Sequence, residues 1–224
     1  MLVSADKFVK ELSGLSFDNT FNPYVEKCEV YDYFDAPQKR RKMLRGMLEA
    51  ADKVEVDAIW IGRDLGYRGG RRTGLALTDD VHLSHHVNRW SVECDRPTKG
   101  DAMPERTASV IWGVLEKITL PVFLWNVFPL HPFEPGAKFS NRNHNAKERQ
   151  AGEELLSMLI DNLRPKRLIA VGNDASSAAN KFRNTCEVFK VRHPSYGGKN
   201  VFLNQVESLY GIDVLASPNM KLFG

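Results

Sequence analysis

The feature that most constrains this chain is a series of short apolar runs, each closed by a polar or glycine-rich stretch. Residues 56–62 (VDAIWIG), 121–130 (PVFLWNVFPL) and 167–172 (RLIAVG) read as buried strands, with Glu187–Val191 as a weaker fourth. Between them lie amphipathic helical patterns at about 37–52, 105–117 and 147–163, and a shorter one after Asn173, where Asn173 or Asp174 is a plausible N-cap. The N-terminal MLVSADKFVKELSG reads as a further amphipathic helix. Strands alternating with helices imply βαβ units and a parallel sheet, so the expected class is α/β. No run approaches the roughly 20 apolar residues that span a bilayer. The charges at the N-terminus do not suit a signal peptide, and a cytoplasmic protein with no membrane partner is expected. One domain over residues 1–224 is expected from the length, as a monomer.

Two long segments follow no period: 62–100, rich in Gly, Arg and His, and 128–146, with several Pro and Asn. Long loops in a compact domain are usually functional. Ligands of open α/β sheets bind at the carboxyl ends of strands, which places both segments and the stretch from His193 onward on one rim.

Asp64, Asn126, Asn173 and His193 fall at or just past the expected strand ends. Asp64, in Gly62-Arg63-Asp64-Leu65-Gly66-Tyr67, fits two readings: a carboxylate that orients water or stabilises a cation, or a turn cap. Asn126 either presents its amide to a pyrimidine-like edge or ties two loops together. His193, followed by Pro194 and Ser195, either donates to a developing anion or is structural. His82, His85 and His86 lack the fourth ligand of a zinc site. Residues 68–74 (RGGRRTG) lack the Gly-Lys-Ser/Thr ending of a P-loop and suit approach to a phosphate backbone. Cys28, Cys94 and Cys186 form no CxxC pair and read as buried small hydrophobes. No metal and no cofactor are expected.

In order and spacing these segments resemble the uracil-DNA glycosylase superfamily. Gly62-Arg63-Asp64-Leu65-Gly66, with Gly74 twelve residues after Gly62, is similar to its first motif, and His193-Pro194-Ser195 to its last. Asn126 in Leu124-Trp125-Asn126-Val127-Phe128-Pro129-Leu130 matches the strand-end N-x-x-P-L of the single-strand-selective enzymes. The resemblance implies a three-layer α/β/α sandwich on a four-stranded parallel sheet. It places Asp64 where the attacking water is oriented, Asn126 where uracil is read and His193 where the departing base anion is stabilised. Gly62, Arg63, Gly66, Tyr67 and Leu77 would then bind substrate, and Arg68, Arg71, Arg72, Ser195, Tyr196 and Lys199 would bind DNA.

Departures accompany the likeness. Leu65 replaces a proline, Leu77 replaces a base-stacking aromatic that Tyr67 would supply, and Gly66 stands where a tyrosine excludes thymine, leaving room at C5. Tyr196 is the candidate for the wedge that fills the duplex. The Cys count excludes the four-cysteine iron–sulfur branch. Two rivals remain: a binding module of this fold without turnover, and an unrelated α/β hydrolase of nucleotides or phosphoesters in which Asp64 is nucleophile or metal ligand.

The formal net charge is only +3. The stretches 62–74, 138–149 and 190–199 each carry a local excess of three positive charges, on the loops that hold the motifs. That distribution implies a basic face for DNA, with binding that weakens as salt rises.

Overall fold

The computed structural model describes residues 3–213; residues 1–2 and 214–224, included in the one-domain expectation, lie outside the described residues. In chain order the elements are α1 (Ala5–Gly14), β1 (Thr20–Phe21), α2 (Ala36–Ala51), β2 (Ala58–Asp64), α3 (Gly70–Thr73), α4 (Leu83–Asn88), α5 (Arg106–Leu115) and β3 (Val122–Phe128). They continue as β4 (His131–Pro132), α6 (Ala146–Leu163), β5 (Arg167–Val171), α7 (Asn173–Ala179), β6 (Glu187–Val191) and α8 (Lys199–Tyr210). A 3-10 turn follows α7. No helix among the described residues is long and apolar enough to cross a membrane.

The main sheet is four-stranded and parallel, in the order β3-β2-β5-β6. Alternation along each strand sorts its side chains to two faces. Ile59, Ile61, Phe123, Trp125, Leu168 and Ala170 pack with α1, α2, α6 and α7. Ala58, Trp60, Val122, Leu124, Ile169 and Val171 pack with α5 and α8 on the other side. The result is the expected three-layer sandwich, and both faces are apolar because helices cover both.

Several boundaries differ from the sequence expectation. β2 starts and ends two residues later, so Asp64 is the last residue of the strand. Asn126 lies inside β3 and pairs in register with Gly62. Gly172 is the N-cap of α7, and Asn173 is its first helical residue. The 62–100 segment holds the two short helices α3 and α4, and α8, which begins at Lys199, was not foreseen.

Buried polar networks fix the long segments. Arg40 and Asp32 form an ion pair with both side chains fully buried. Arg40 also donates to the Arg72 carbonyl at 2.8 and 2.7 Å, tying α2 to the glycine-rich segment. Asp80 accepts from Arg72 Nε at 2.6 Å and from Thr98 Oγ1 at 2.9 Å. His86 is held against Thr78 Oγ1 at 2.8 Å, and burial pushes its imidazole down to about 3. Burial, with Arg71 beside it, likewise lowers His131 to about 4.

These histidines make stability acid-sensitive. The unfolded chain takes up their protons near pH 6.5, whereas the fold resists until about pH 3 to 4. Within that window the unfolded state binds more protons, so stability falls as pH falls. The thermal midpoint is expected to drop by several degrees from about pH 7 to about pH 4, with a shallower slope in His86→Leu. A wild-type midpoint flat over that range would contradict this.

Candidate active site

The carboxyl ends of β2, β5 and β6 open into a cleft of about 620 Å³. Its walls include Arg63, Asp64, Gly66, Tyr67 and Arg68 after β2, with Leu77 and Thr78 nearby. Glu105, Asn141, Gly172, His193, Ser195 and Tyr196 line the remainder. Segments after β2, before α6 and after β6, distant in sequence, therefore meet at one rim, and Asn126 is not among the residues that line it.

Asp64 is nearly enclosed, with 6% of its side chain exposed. Arg63 Nε donates to its Oδ2 at 2.7 Å. The ring Nδ1 of His144 contacts Oδ1 as a donor. Sequence reading missed His144, because 80 residues separate it from Asp64 and it belongs to no motif. The only signal was its place in the second unpatterned segment.

His193 sits across the cleft. The Ser195 backbone N–H donates to its Nδ1 at 3.2 Å, and Ser195 Oγ lies 2.7 Å from the same nitrogen. An Nδ1 that accepts puts the ring proton on Nε2. Burial pushes the imidazole below its ordinary value; Glu105 opposes the shift, and Arg63 and Arg192 add to it. The ring is thus neutral at neutral pH and keeps one N–H to donate. The tight turn needs Gly198, where a Cβ would run into the His193 carbonyl oxygen.

Asn126 is 1% exposed, and neither its Oδ1 nor its Nδ2 has a hydrogen-bond partner. A buried, unpaired amide is costly and calls for an explanation. Gly62 is its register partner, and a Cβ there would collide with Asn126 Oδ1 and lie 2.9 Å from Leu77 Cδ2. The amide and the Leu77 side chain therefore converge on the space above Gly62. Leu77 holds a left-handed backbone, with φ 54°.

Other expected contacts divide. Arg68 is exposed and stacks over Tyr67 at 5.4 Å, donating to its hydroxyl at 2.8 Å. The Tyr67 backbone is fixed by Asn141 Oδ1 at 3.0 Å. Tyr196 is 97% exposed with φ 50°, and Lys199 is exposed at the start of α8. Gly66 faces open space, with nothing within 4 Å of where a Cβ would stand.

Arg71 and Arg72 depart from the exposed, phosphate-facing placement expected from the sequence: both are buried. Arg71 lies 3.8 Å over the Phe21 ring, donates to Tyr31 Oη at 2.8 Å and meets His131 Nδ1 at 2.9 Å. Arg72 is bonded to Asp80 and lies over Tyr31 at 4.2 Å. Leu65 is a core residue, 2% exposed. Among the described residues no group of three or more His, Cys, Asp or Glu side chains is placed to hold a metal ion. His82 bonds Asp79 and His85 bonds Glu116.

A doubly covered parallel sheet whose strand ends carry a carboxylate facing an imidazole donor defines an α/β protein with a polar cleft at its rim. The sequence matches the Uracil DNA glycosylase superfamily over residues 33–208, and the chain belongs to that superfamily. Its members are DNA glycosylases, hydrolases of the bond between base and sugar. The fold is similar to that of the wild-type SMUG2 crystal structure from Pedobacter heparinus. The TM-score is 0.57 at 15% identity, over 94% of this chain and 98% of that one. No curated protein matches the chain in sequence.

Gly62→Ala is expected to displace Asn126 or Leu77 while leaving the far-UV circular dichroism unchanged. Since misplacement by about 1 Å can cost about 100-fold, turnover on any active oligonucleotide should fall by about that factor. Wild-type turnover in a folded Gly62→Ala protein would show that the close approach at Gly62 does not matter.

Proposed function

We propose that the chain is a monofunctional DNA glycosylase that hydrolyses the N-glycosidic bond of uracil or a modified pyrimidine in DNA, leaving an abasic site. The observation that carries this reading is the unpartnered amide of Asn126, buried behind Gly62. One side-chain amide offers a donor and an acceptor side by side, the complement of a pyrimidine edge. A base turned out of the stack would displace the Leu77 side chain and give Asn126 the partners it lacks.

The reaction then divides between the two walls. As the C1′–N1 bond lengthens, its electron pair passes to the base and positive charge grows on the sugar. Asp64 stabilises that charge, orients the water that adds to C1′ and accepts the proton this water loses. His193 donates from Nε2 to the base anion. A neutral imidazole donor suits this task, and its lowered proton affinity keeps it neutral. Tyr67 offers a face for stacking, and Tyr196, almost wholly exposed, fills the place the base leaves. Open space at Gly66 admits a substituent at C5. Arg68, Arg192 and Lys199, all exposed, supply phosphate contacts.

A non-catalytic binding module of the same fold is the alternative, favoured by Leu77 filling the space next to Asn126. The deciding experiment incubates the protein with single- and double-stranded oligonucleotides carrying uracil or modified pyrimidines, then cleaves abasic sites with alkali. Strand scission with at least one base is expected. Asp64→Asn should reduce it by about 100-fold or more while DNA affinity stays nearly unchanged. A gel shift with no abasic sites across the panel would establish the binding module instead, and a strict magnesium requirement would point to phosphoester chemistry.

A further inference from the structure

The Asp64 carboxylate has a second holder outside the motifs. Its two oxygens are divided between Arg63 Nε, at 2.7 Å on Oδ2, and His144 Nδ1, on Oδ1. The two holders differ in rigidity. Arg63 is 39% exposed and also reaches Asp174 of α7 at 3.7 Å. The His144 side chain is 6% exposed, with its ring 6.1 Å from that of Phe128.

The backbone on either side of His144 is anchored independently. Arg142 forks onto Glu148 at 2.8 and 2.6 Å and also donates to the carbonyls of Phe133 and Asn19. Asn145 caps α6, and the buried Glu148 carboxylate returns to the Asn145 N–H at 2.7 Å. His144 stands between these two anchors, so its ring is delivered to Asp64 from a fixed frame.

We propose that His144 is a positioning residue for Asp64 and acts on catalysis only through it. The proposal rests on the glycosylase reading of the site. The torsion of an aspartate carboxylate is broad and roughly two-fold, so one flexible partner does not set its plane. A second donor on the other oxygen does. Each oxygen has two acceptor positions, so both retain capacity for water at the sugar. The charged groups around the pair are Arg63, with Asp174 behind it, and Arg142, whose guanidinium is held charged first by Glu148 and also by Asp64. Sub-ångström placement of a group that must meet a reacting water is worth far more in rate than in stability.

The test is a single-turnover base-release assay with the full chain on its best oligonucleotide. His144→Ala should lower the rate about 10- to 100-fold while the Kd for DNA changes less than about twofold. His144→Asn, whose amide nitrogen reaches a similar place, should recover most of the rate. In an Asp64→Asn background, His144→Ala should cost less than about twofold more. Independent, multiplying losses would overturn the proposal, as would a loss confined to Kd.

A second readout needs no substrate. The His144 Nδ1–H should give a proton resonance well downfield of the amides, lost in both His144→Ala and Asp64→Asn. Its absence in the wild type would overturn the proposal regardless of activity. Wild-type protein that turns over while the His144 variants keep its rate overturns this proposal alone. Wild-type protein that shows the resonance but releases no base overturns the glycosylase reading, and this proposal with it.

Discussion

The parallel register of β2 with β3 sets Gly62 opposite Asn126, and the geometry of the site depends on that pairing. Only a residue without a Cβ lets the Asn126 amide and Leu77 close over the strand. A shift of one residue would send Asn126 to the opposite face, among the aromatic side chains packed under α1 and α6. The register also fixes how far β2 runs beyond the pairing, and so places Asp64 two residues further on at the cleft. Placement of the Asp64 carboxylate and of the Asn126 amide are therefore one structural fact.

The glycine-rich segment after β2 is held to this frame by cations that face inward. Arg40 reaches the Arg72 carbonyl, Arg72 reaches Asp80, and Arg71 is enclosed by Phe21, Tyr31 and His131. Each guanidinium finds carboxylate, carbonyl, imidazole or ring partners, which is what a buried charge requires. Removing one partner would leave the others uncompensated. Two of the four arginines between residues 62 and 74 thus build the rim from inside and are not surface charges. Arg68, Arg192 and Lys199 are the exposed cations near this rim.

Much of this was legible in the chain because it is local. The apolar runs marked the four strands, and their polar ends marked the cleft, since a buried strand must stop where polar groups begin. Three short motifs carried Asp64, Asn126 and His193. What escaped was non-local. His144 acquires its role only when the segment before α6 folds back onto β2. Arg71 and Arg72 read as phosphate ligands because charge near glycine looks exposed in one dimension, while Tyr31, His131 and Asp80 lie out of sequence view. Asn126 read as a strand end because an amide inside a fully buried strand is locally unfavourable. Departures from local preference of this kind concentrate at functional or strained positions.

Under the proposed reaction, the two walls of the cleft solve opposite electrostatic problems. On one, a carboxylate stays beside growing positive charge although Arg63 already contacts it. Fixing the carboxylate plane through His144 preserves its direction toward the sugar when the arginine alone would not. On the other, a ring must offer a proton to an anion without being a cation beforehand. Burial, Arg63 and Arg192 push His193 toward neutrality, Glu105 limits the shift, and Ser195 selects the Nε2 tautomer. Arg63 is common to both walls, bonded to Asp64 and felt by His193. A phosphate or base that drew Arg63 aside would strengthen the negative field at the sugar and relax the push on His193 in one movement. In the proposed reaction, that single side chain would link substrate entry to the electrostatics of bond breaking.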